Sequence, residues 1–365
     1  MDRNSKKLKI LMVSNQGGYS HIQTHIYYVA RILKNKNFHL TILAPHAGNW
    51  TRKMQKSGYH VDIKNFNNKS LKTFFQMYKY FKENKFDIIH SHSTNLYWAI
   101  AAKLAKSDTK LIHTFHTGLE IHIDSFFEKL GLKKFDKIIT ININQQKMLI
   151  PFQIQADKIE HISYGISERF YVNNMPYDKT KIRKKFGLKE NIFTIGTLGR
   201  FEEKNGFEYL LDALVYLKDN MRFNCVVVGD GNGKDDFLSK VKEKGLERFI
   251  TLTGYCDHIY DLLPAFDVLV LPYITEEYSI IPLEAMASGI PVIAFKQRYL
   301  VELVDEFESV IVVPNKDAKA LAHNINYLYQ NRNYLEDIAL SGYLKAQNYH
   351  QELMMNKLLD LYQKD

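Results

Sequence analysis

Short apolar runs alternate with longer amphipathic segments along most of the chain. In the first half the apolar runs cover residues 9–14, 38–43, 88–91, 110–114 and 137–141. The stretches between them, such as 24–34 and 71–81, carry apolar residues at helical spacing. Because buried strands that alternate with helices form parallel sheets, this pattern predicts an α/β fold.

A polar segment at 164–188 interrupts the alternation and predicts a linker between two domains. Beyond it the apolar runs return at 193–198, 224–228, 250–252, 268–271, 291–294 and 310–313. We therefore predict two doubly wound, Rossmann-like sheets, in domains of residues 1–170 and 171–344.

The last helical pattern of the chain covers residues 334–362 and contains Ser341-Gly342. Glycine weakens a helix interior, so we expect the helix to break at that pair. The end of the chain, about residues 345–365, is expected to pack back on the first domain.

The composition excludes several classes of protein. Of 365 residues 45% are hydrophobic and 24% charged, which is enough to bury the cores of two domains. The two cysteines, Cys225 and Cys256, exclude a disulfide scaffold and a four-cysteine zinc site. No run of about 18 apolar residues occurs, and the first apolar run is too short for a signal peptide. We expect a cytoplasmic protein, in solution or peripheral at the inner face of the membrane.

Charge is distributed unevenly along the chain, whose formal net charge is +9. Residues 1–180 hold 27 basic and 13 acidic side chains, whereas residues 181–365 hold 22 and 27. In the first half, basic and aromatic residues are interleaved at 52–85 and 129–137. Such segments form either a solvated face or a surface for anionic membranes. Nucleic acid is disfavoured as a partner, because no recognition motif accompanies the charge.

Two carboxylates follow the apolar run 268–271, at a position where open α/β sheets bind ligands. Glu276 lies in the loop, and Glu284 lies one turn inside a short helix predicted over 280–288 with Ser279 as its N-cap. Carboxylates accept hydrogen bonds from sugar diols, and the N–H groups of a helix start bind phosphate. The alternative is that both are solvated surface charges, but the apolar surroundings would then bury charge at a cost.

Two cations, Arg200 and Lys204, follow the run 193–198 in the same way. A guanidinium and an ammonium at a strand end suit a diphosphate leaving group, whose oxygen gains negative charge as it departs. The alternative is a solvated Arg200 and a Lys204 paired with Glu202 or Glu203.

Glycines and histidines follow strands of the first domain. Gly17-Gly18 comes after the first strand, and a helix is predicted over 19–33, but the Gly-x-Gly-x-x-Gly pattern of a dinucleotide site is missing. The histidines at strand ends are His90, His92, His113 and His116. Their spacing does not favour a metal site, so they are either structural or donate to sugar hydroxyls and phosphates.

Together these motifs resemble those of glycosyltransferase family four, which has the GT-B fold. The features that match, in chain order, are Gly17-Gly18, the Asp-x-x-His-x-His segment at 87–92, His116, Gly199-Arg200 with Lys204, Gly-Asp-Gly at 229–231, Leu-x-Gly at 252–254, and Glu276 and Glu284 followed by AMASGIPV. Two departures stand out. Glu277-Tyr278-Ser279 replaces the family's Gly-Phe-Gly, which bulks up the sugar pocket, and the spacer from Arg200 to Lys204 is one residue short.

The resemblance implies a retaining transferase of two Rossmann-like domains that face each other across a cleft. It would move a sugar from a nucleoside diphosphate sugar, with UDP favoured, to a lipid-linked or cell-surface glycan in capsule, exopolysaccharide or wall polymer synthesis. No cofactor or metal is implied, because two cations and a helix start supply the positive charge. Two alternatives remain open: a non-catalytic sugar-nucleotide-binding partner subunit and a nucleotide-sugar epimerase of the same fold.

The resemblance also implies roles for individual residues. It assigns the diphosphate to Arg200 and Lys204, the ribose to Glu284, and the sugar hydroxyls to Glu276. His116 would touch the donor sugar from the first domain. The backbone groups expected at the donor are those of Gly17, Gly18, Tyr255 (beside the base), Ser279, Ile280 and Ile281.

Overall fold

The computed structural model describes residues 7–18, 20–34, 36, 38–66, 68, 70–93, 95–116, 123, 125–171, 178–256, 258–276, 279–303 and 309–363. The chain forms two units. The first comprises residues 1–164 together with 352–365, and the second comprises residues 165–351. The structure thus draws the boundary after Tyr164, whereas the sequence predicts it after residue 170.

The described residues of the first unit form a seven-stranded parallel sheet in the order β3-β2-β1-β4-β5-β6-β7. Its strands are β1 Leu8–Val13, β2 Phe38–Ala44, β3 His60–Ile63, β4 Ile88–Ser91, β5 Lys110–Phe115, β6 Lys137–Thr140 and β7 Ile159–His161. The helices among them are α1 His21–Lys34, α2 Asn49–Lys56, α3 Leu71–Asn84, α4 Trp98–Ala105, α5 Phe126–Leu132 and α6 Ile143–Leu149.

The alternation of side chains along β1 builds a core on each face of this sheet. Ile10 and Met12 are fully buried on the face that α1 covers, and Leu11 is fully buried on the face that α3 and α4 cover. Successive side chains of a strand point to opposite faces, so an all-apolar strand is buried on both sides. This is why the short run at the start of the chain becomes a central strand.

The second unit repeats this architecture with six parallel strands in the order β10-β9-β8-β11-β12-β13. Its strands are β8 Phe193–Leu198, β9 Phe223–Val228, β10 Ile250–Gly254, β11 Val268–Leu271, β12 Val292–Phe295 and β13 Ile311–Val313. Its helices are α7 Lys179–Lys185, α8 Phe207–Leu217, α9 Lys234–Glu243, α10 Ile259–Leu262, α11 Ile281–Ala287, α12 Arg298–Leu303, α13 Ala318–Gln330 and α14 Arg332–Ala346. The predicted α/β class with two doubly wound sheets is confirmed.

The C-terminal helix α15, Gln351–Gln363, joins the core of the first unit. Its buried residues Met354, Leu358 and Tyr362 pack in the cluster that also contains Ile10 of β1. This helix therefore completes the face of the first sheet that α1 covers.

The prediction of a break at Ser341-Gly342 is wrong. Helix α14 runs through the pair, and the chain leaves it only at the 3₁₀ turn Gln347–Tyr349. Gly342 is buried, and a Cβ there would lie 3.2 Å from Met286 Cγ of α11. The glycine lets two helices approach closely rather than ending one.

Two strands were not predicted from the sequence, namely β3 and β7. Both lie at the edges of the first sheet, and their residues are half-buried or exposed. Edge strands can be polar, so neither produces an apolar run. Among the described helices, none is long and apolar enough to cross a bilayer.

Candidate functional site

The switch point of the second sheet lies between β8 and β11, because β9 and β10 extend the sheet on one side of this pair and β12 and β13 on the other. Open α/β sheets bind ligands at such a point, beyond the carboxyl ends of the strands. The loops after β8 and β11 are in contact there. The amide of Ile274 donates to the carbonyl oxygen of Lys204 over 3.0 Å, and the Tyr273 hydroxyl donates to that of Leu198 over 2.7 Å.

Gly206, at the end of the loop after β8, makes this contact sterically possible. Its φ is +62°, and a Cβ at this position would lie 1.9 Å from the carbonyl oxygen of Pro272. Only glycine combines that conformation with that approach. The two loops are therefore held at a fixed spacing by backbone contact.

Arg200 and Lys204 lie on either side of one carboxylate, that of Glu202. Arg200 Nη1 is 3.6 Å from Glu202 Oε1, and Lys204 Nζ is 3.4 Å from Glu202 Oε2. The Arg200 side chain is 67% exposed. The structure thus brings the two predicted phosphate-binding cations together, and it also shows the pairing of Lys204 with Glu202 that the alternative interpretation expects.

Glu276 is exposed in the loop after β11. Its Oε2 accepts a hydrogen bond of 2.9 Å from the amide of Arg298, the first residue of α12. A carboxylate is favourable at a helix start, so this contact holds the loop in place. Glu277 and Tyr278, the departure from the family pattern, lie outside the described residues.

Helix α11 begins one residue later than predicted, and Ser279 is not its N-cap. Ile280 occupies the cap position and makes no side-chain hydrogen bond there. Ser279 Oγ instead accepts from the amide of Ile281 over 3.3 Å. The reason is local: the serine lies one residue too early for an N-cap, and Pro282 in the first turn has no N–H to offer it.

Glu284 lies one turn inside α11 and is half-buried. Burial raises the pKa of its carboxyl to about 7. Near neutral pH the group therefore exists in both protonation states, and each of them can hydrogen-bond a hydroxyl group.

Tyr255 directly follows β10, two strands away from β8. Its side chain is 67% exposed. The backbone before it is fixed, because the carbonyl oxygen of Gly254 accepts a 3.0 Å hydrogen bond from the amide of Gly229. Tyr255 thus lies at the same carboxyl edge as the loops described above.

The glycine pair after β1 has two different environments. A Cβ on Gly17 would lie 2.0 Å from the carbonyl oxygen of His46, whereas a Cβ on Gly18 would meet nothing within 4 Å. Close packing against the loop after β2 therefore requires a glycine at position 17. Gly18 borders open space, as a backbone that approaches a ligand would.

The four strand-end histidines are all buried, with at most 5% exposure. His90 bonds Tyr362 Oη through Nδ1 and Thr114 Oγ1 through Nε2, each over 2.7 Å. Burial lowers the pKa of His90 and His92 well below the ordinary value, so both are neutral at physiological pH. Within the described ranges no group of three or more His, Cys, Asp or Glu side chains is placed to hold a metal ion.

His116 is held through both of its ring nitrogens. Its Nε2 lies 2.7 Å from Nδ1 of His92, and its Nδ1 is hydrogen-bonded to the hydroxyl of Tyr164. The Tyr164 ring stacks on the imidazole, with centroids 5.6 Å apart and planes at 17°.

Two residues of this region were missed by sequence reasoning. The sequence predicts Tyr164 only as the first residue of a linker between the two domains. Gln23 is fully buried in α1, where its amide donates to Ser14 Oγ over 2.9 Å and to Asn15 Oδ1 over 2.6 Å, which fixes the loop after β1. A polar residue on the apolar face of a predicted helix was the available signal for Gln23.

Two family models match the chain, one in each unit. The model described as Glycosyltransferase Family 4 matches residues 22–170. The model described as Glycosyl transferases group 1 matches residues 178–345. The two matches together span most of both units.

Similar proteins agree with these matches. The chain is 26% identical, over 80% of its own length and 80% of the relative's, to the UDP-Gal:α-D-GlcNAc-diphosphoundecaprenol α-1,3-galactosyltransferase of Escherichia coli. Its fold is similar to that of a glycosyltransferase from Rickettsia africae, with a TM-score of 0.85, 22% identity and 98% of each chain covered. It is also similar to the Anabaena protein HepE in complex with UDP, with a TM-score of 0.84, 20% identity and 97% and 99% of the two chains covered.

Proposed function

This chain belongs to glycosyltransferase family four and has the GT-B fold, and on that premise we propose that it is a retaining hexosyltransferase. In this proposal it transfers a sugar from a UDP-sugar to a lipid-linked or cell-surface glycan during capsule, exopolysaccharide or wall polymer synthesis. The reaction breaks the bond between the anomeric carbon and the diphosphate and forms a glycosidic bond on the same face of the sugar.

The observation that carries the proposal is the arrangement at the switch point of the second sheet. Arg200 and Lys204 follow β8, and Glu276 follows β11. The two loops are joined by a backbone hydrogen bond, and the Tyr273 hydroxyl donates to the last carbonyl oxygen of β8. One edge of one sheet thus offers two cations for a diphosphate and carboxylates for hydroxyls. A nucleoside diphosphate sugar requires that combination of groups.

Each residue has a distinct task in the proposed reaction. Arg200 and Lys204 stabilise the charge that develops on the departing diphosphate oxygen. Glu276 orients the sugar through its hydroxyls, and Glu284 binds the ribose. The backbone amides at the start of α11 add positive potential near the phosphates. As the resemblance implies, a phosphate oxygen of the leaving group accepts the proton of the acceptor hydroxyl, so no metal is required.

The choice of donor and acceptor rests on similar proteins. The E. coli relative is named for transfer from UDP-galactose to α-D-GlcNAc-diphosphoundecaprenol. The similar Anabaena structure contains UDP. These support a UDP-sugar as the donor and a lipid-linked diphosphate sugar as the acceptor.

The pairs that Glu202 makes with Arg200 and Lys204 favour one second candidate, a partner subunit that binds sugar nucleotides without catalysis. A non-catalytic subunit would not need cations that are available to a leaving group. Both candidates bind sugar nucleotides, but only the transferase turns over the donor.

The deciding experiment measures UDP release from a panel of UDP-sugars with an undecaprenyl-diphosphate-linked GlcNAc acceptor. We expect turnover by the natural chain and a loss of about 10²-fold or more for Glu276→Gln, because one positioned polar group in a transition state is worth that much. Glu203→Gln, which removes a carboxylate from the loop after β8, is the matched control and should retain activity. Binding of UDP without turnover on any donor would favour the second candidate.

We also propose an anionic membrane surface as a partner of the first unit. Helices α3 and α5 both pack on α4. Their most exposed apolar side chains are Leu71 (79%), Phe75 (65%), Phe126 (73%) and Phe127 (62%). The exposed lysines on α3 and α5, or directly after α5, are Lys72, Lys79, Lys82, Lys129, Lys133 and Lys134. We call these ten residues the basic–aromatic face, a combination that binds the surface of anionic bilayers.

A further inference from the structure

Two adjacent residues at the start of α12 hold the loop after β11. Gln297, directly before the helix, donates from Nε2 to the carbonyl oxygen of Tyr273 over 2.5 Å. The amide of Arg298 donates to Glu276 Oε2 over 2.9 Å. Gln297 also begins the helix, because its carbonyl oxygen accepts from the amides three and four residues further on. The place of the Glu276 carboxylate therefore depends on the place of this helix start.

Gln297 also links the helix start to the strand that leads to the cations. Its partner Tyr273 donates through the hydroxyl to the carbonyl oxygen of Leu198, the last residue of β8, over 2.7 Å. Arg200 follows two residues later. Gln297, Tyr273 and Leu198 form a hydrogen-bonded row and are each at most 9% exposed, and hydrogen bonds are stronger where water is excluded. The row thus joins the segment that holds Glu276 to the segment that carries the cations.

The carboxamide of Gln297 is only partly paired. The residue is 3% exposed, and its Oε1 has no hydrogen-bond partner within the part of the chain that the structure describes. A buried polar atom without a partner lowers stability, whereas a methionine of similar length would bury no polar atom there. Packing alone therefore does not explain a glutamine at this position, but the bond to Tyr273 does.

We propose that Gln297 is a positioning residue that sets the place of Glu276 relative to Arg200 and Lys204. The inference rests on the function proposed above, in which Glu276 orients the sugar and the two cations stabilise the diphosphate. Sugar and diphosphate belong to one donor molecule, so a shift between the groups that bind them misaligns the anomeric carbon and its leaving group. Gln297 acts through Glu276, without contact of its own with the substrate.

The first unit offers a matched control for this glutamine. Gln145 of α6 is also fully buried, and its Oε1 accepts a 2.8 Å hydrogen bond from the amide of Ile141, directly after β6. Gln297→Met and Gln145→Met each replace a buried carboxamide that holds the loop after a strand. Only Gln297→Met loosens the loop that carries Glu276.

The kinetic test compares kcat for the UDP-sugar with the affinity for UDP. We expect Gln297→Met to lower kcat about tenfold, because the carboxylate is misplaced in the transition state. The Kd of UDP should change by less than about twofold, because UDP lacks the sugar that Glu276 orients. Gln145→Met should change both constants by less than about twofold. Equal losses of kcat in the two variants would indicate a role in packing alone and would overturn the proposal.

A double-mutant cycle tests whether the effect passes through Glu276. If it does, adding Gln297→Met to Glu276→Gln should lower kcat by less than about a further twofold, because the carboxylate that Gln297 places is already gone. The same loss of about tenfold in both backgrounds would show that Gln297 acts independently of Glu276 and would overturn the proposal.

Hydrogen exchange of the Arg298 amide gives a readout that needs no turnover. In NMR of the deuterated full chain, this amide should exchange at least about tenfold faster in Gln297→Met than in the natural chain, because the helix start is no longer held. Its exchange should be unchanged in Gln145→Met. Unchanged exchange in Gln297→Met would overturn the proposal.

Two further outcomes are decisive. If the Arg298 amide of the natural chain exchanges as fast as that of an unstructured peptide, the proposal is overturned even if Gln297→Met does not fold, because that measurement needs no variant. If the natural chain shows no glycosyl transfer, the proposed function fails, while the exchange measurement still decides whether Gln297 holds the helix start that bonds Glu276.

Discussion

At the scale of single residues, the site combines groups that the sequence identifies with contacts that it does not contain. The sequence identifies Arg200, Lys204 and Glu276 because they follow apolar runs, at the strand ends where open α/β sheets bind ligands. It identifies Glu284 because this residue lies one turn inside the next predicted helix. The sequence suggests Glu202 only as a partner of Lys204, whereas in the structure its carboxylate also approaches Arg200. Such shared contacts depend on rotamers and cannot be read from spacing.

The position of Glu202 leads to a prediction about donor affinity. Glu202→Gln removes the carboxylate that competes with phosphate for Arg200 and Lys204. Exposed ion pairs of this kind contribute up to about 1 kcal/mol, so KM for the UDP-sugar should fall by about two- to fivefold. Steady-state kinetics at low salt measure this, with Glu203→Gln as the control that leaves both pairs in place. An unchanged or higher KM in Glu202→Gln would contradict the prediction.

The raised pKa of Glu284 predicts how nucleotide binding responds to pH. An ionised carboxylate accepts ribose hydroxyls better than a neutral one, so UDP affinity should rise as pH increases through about 7. If only the ionised form of Glu284 binds UDP, the gain in affinity between pH 6 and pH 8 approaches roughly tenfold. Calorimetric titration measures it, and Glu284→Gln, which keeps the titration of UDP itself, is the control. If UDP affinity changed with pH to the same extent in both proteins, Glu284 would not bind the ribose in the proposed way.

The same pKa shift also affects stability, with a fixed sign. The pKa of the Glu284 carboxyl is higher in the folded protein than in the unfolded chain, so its protonated form favours folding. This contribution is complete below about pH 4.3 and is lost as pH rises through about 7. Glu284→Gln should therefore unfold at a higher temperature than the natural chain at pH 8. The difference should disappear near pH 4.3.

At the scale of elements, the central strands were predictable and the edges were not. The run predicted at 193–198 is β8, because strands buried on both faces need continuous apolar residues. Strands β3 and β7 were not predicted, because they are short and polar at the sheet edges. The break at Ser341-Gly342 was wrongly predicted, because a glycine in a close helix contact has the same sequence signal as a glycine in a helix break.

One buried ion cluster connects the start of the second unit to its sheet. Asp267, just before β11, lies 2.7 Å from Arg183 Nη2 and 3.0 Å from Lys179 Nζ of α7. It also accepts from the amide of Thr194 in β8 over 2.7 Å. Burial alone would raise the pKa of the Asp267 carboxyl, but the two cations and the Thr194 amide lower it below its ordinary value. The cluster thus holds the first helix of the unit to two of its strands.

This cluster predicts a large loss of stability on substitution. Asp267→Asn leaves buried cations without their counter-charge, so the free energy of unfolding should fall by about 3–5 kcal/mol. Denaturant titration measures the change. Asp261→Asn is the control. Asp261 of α10 pairs over 3.4 Å with Lys185, an exposed residue of α7, so its loss should lower the free energy of unfolding by at most about 1 kcal/mol. Comparable losses would show that burial is not the cause.

At the scale of the whole molecule, the uneven charge of the chain corresponds to its two units. The basic half forms the first unit, which carries the basic–aromatic face, and the acidic half binds the nucleotide in the proposed function. Net charge alone does not distinguish a membrane-binding surface from a solvated one. The structure adds that Phe126 and Phe127 are exposed next to lysines rather than buried.

The basic–aromatic face predicts salt-sensitive membrane binding. The protein should float with vesicles that contain phosphatidylglycerol at low salt and should be released at high salt, where charges are screened. The double substitution Phe126→Ser/Phe127→Ser should at least halve the bound fraction. Tyr216→Ser, at an exposed aromatic of α8 in the second unit, should not change it. Failure of the natural chain to float at low salt would refute the membrane proposal.

The return of α15 to the first unit has a consequence for the order of folding. Met354, Leu358 and Tyr362 belong to the core that contains β1, so the first unit to be synthesised cannot close its core until almost the whole described chain has left the ribosome. The second unit, continuous from 165 to 351, has all of its strands available earlier. During synthesis the nucleotide-binding half can therefore reach its final state before the half that precedes it in the sequence.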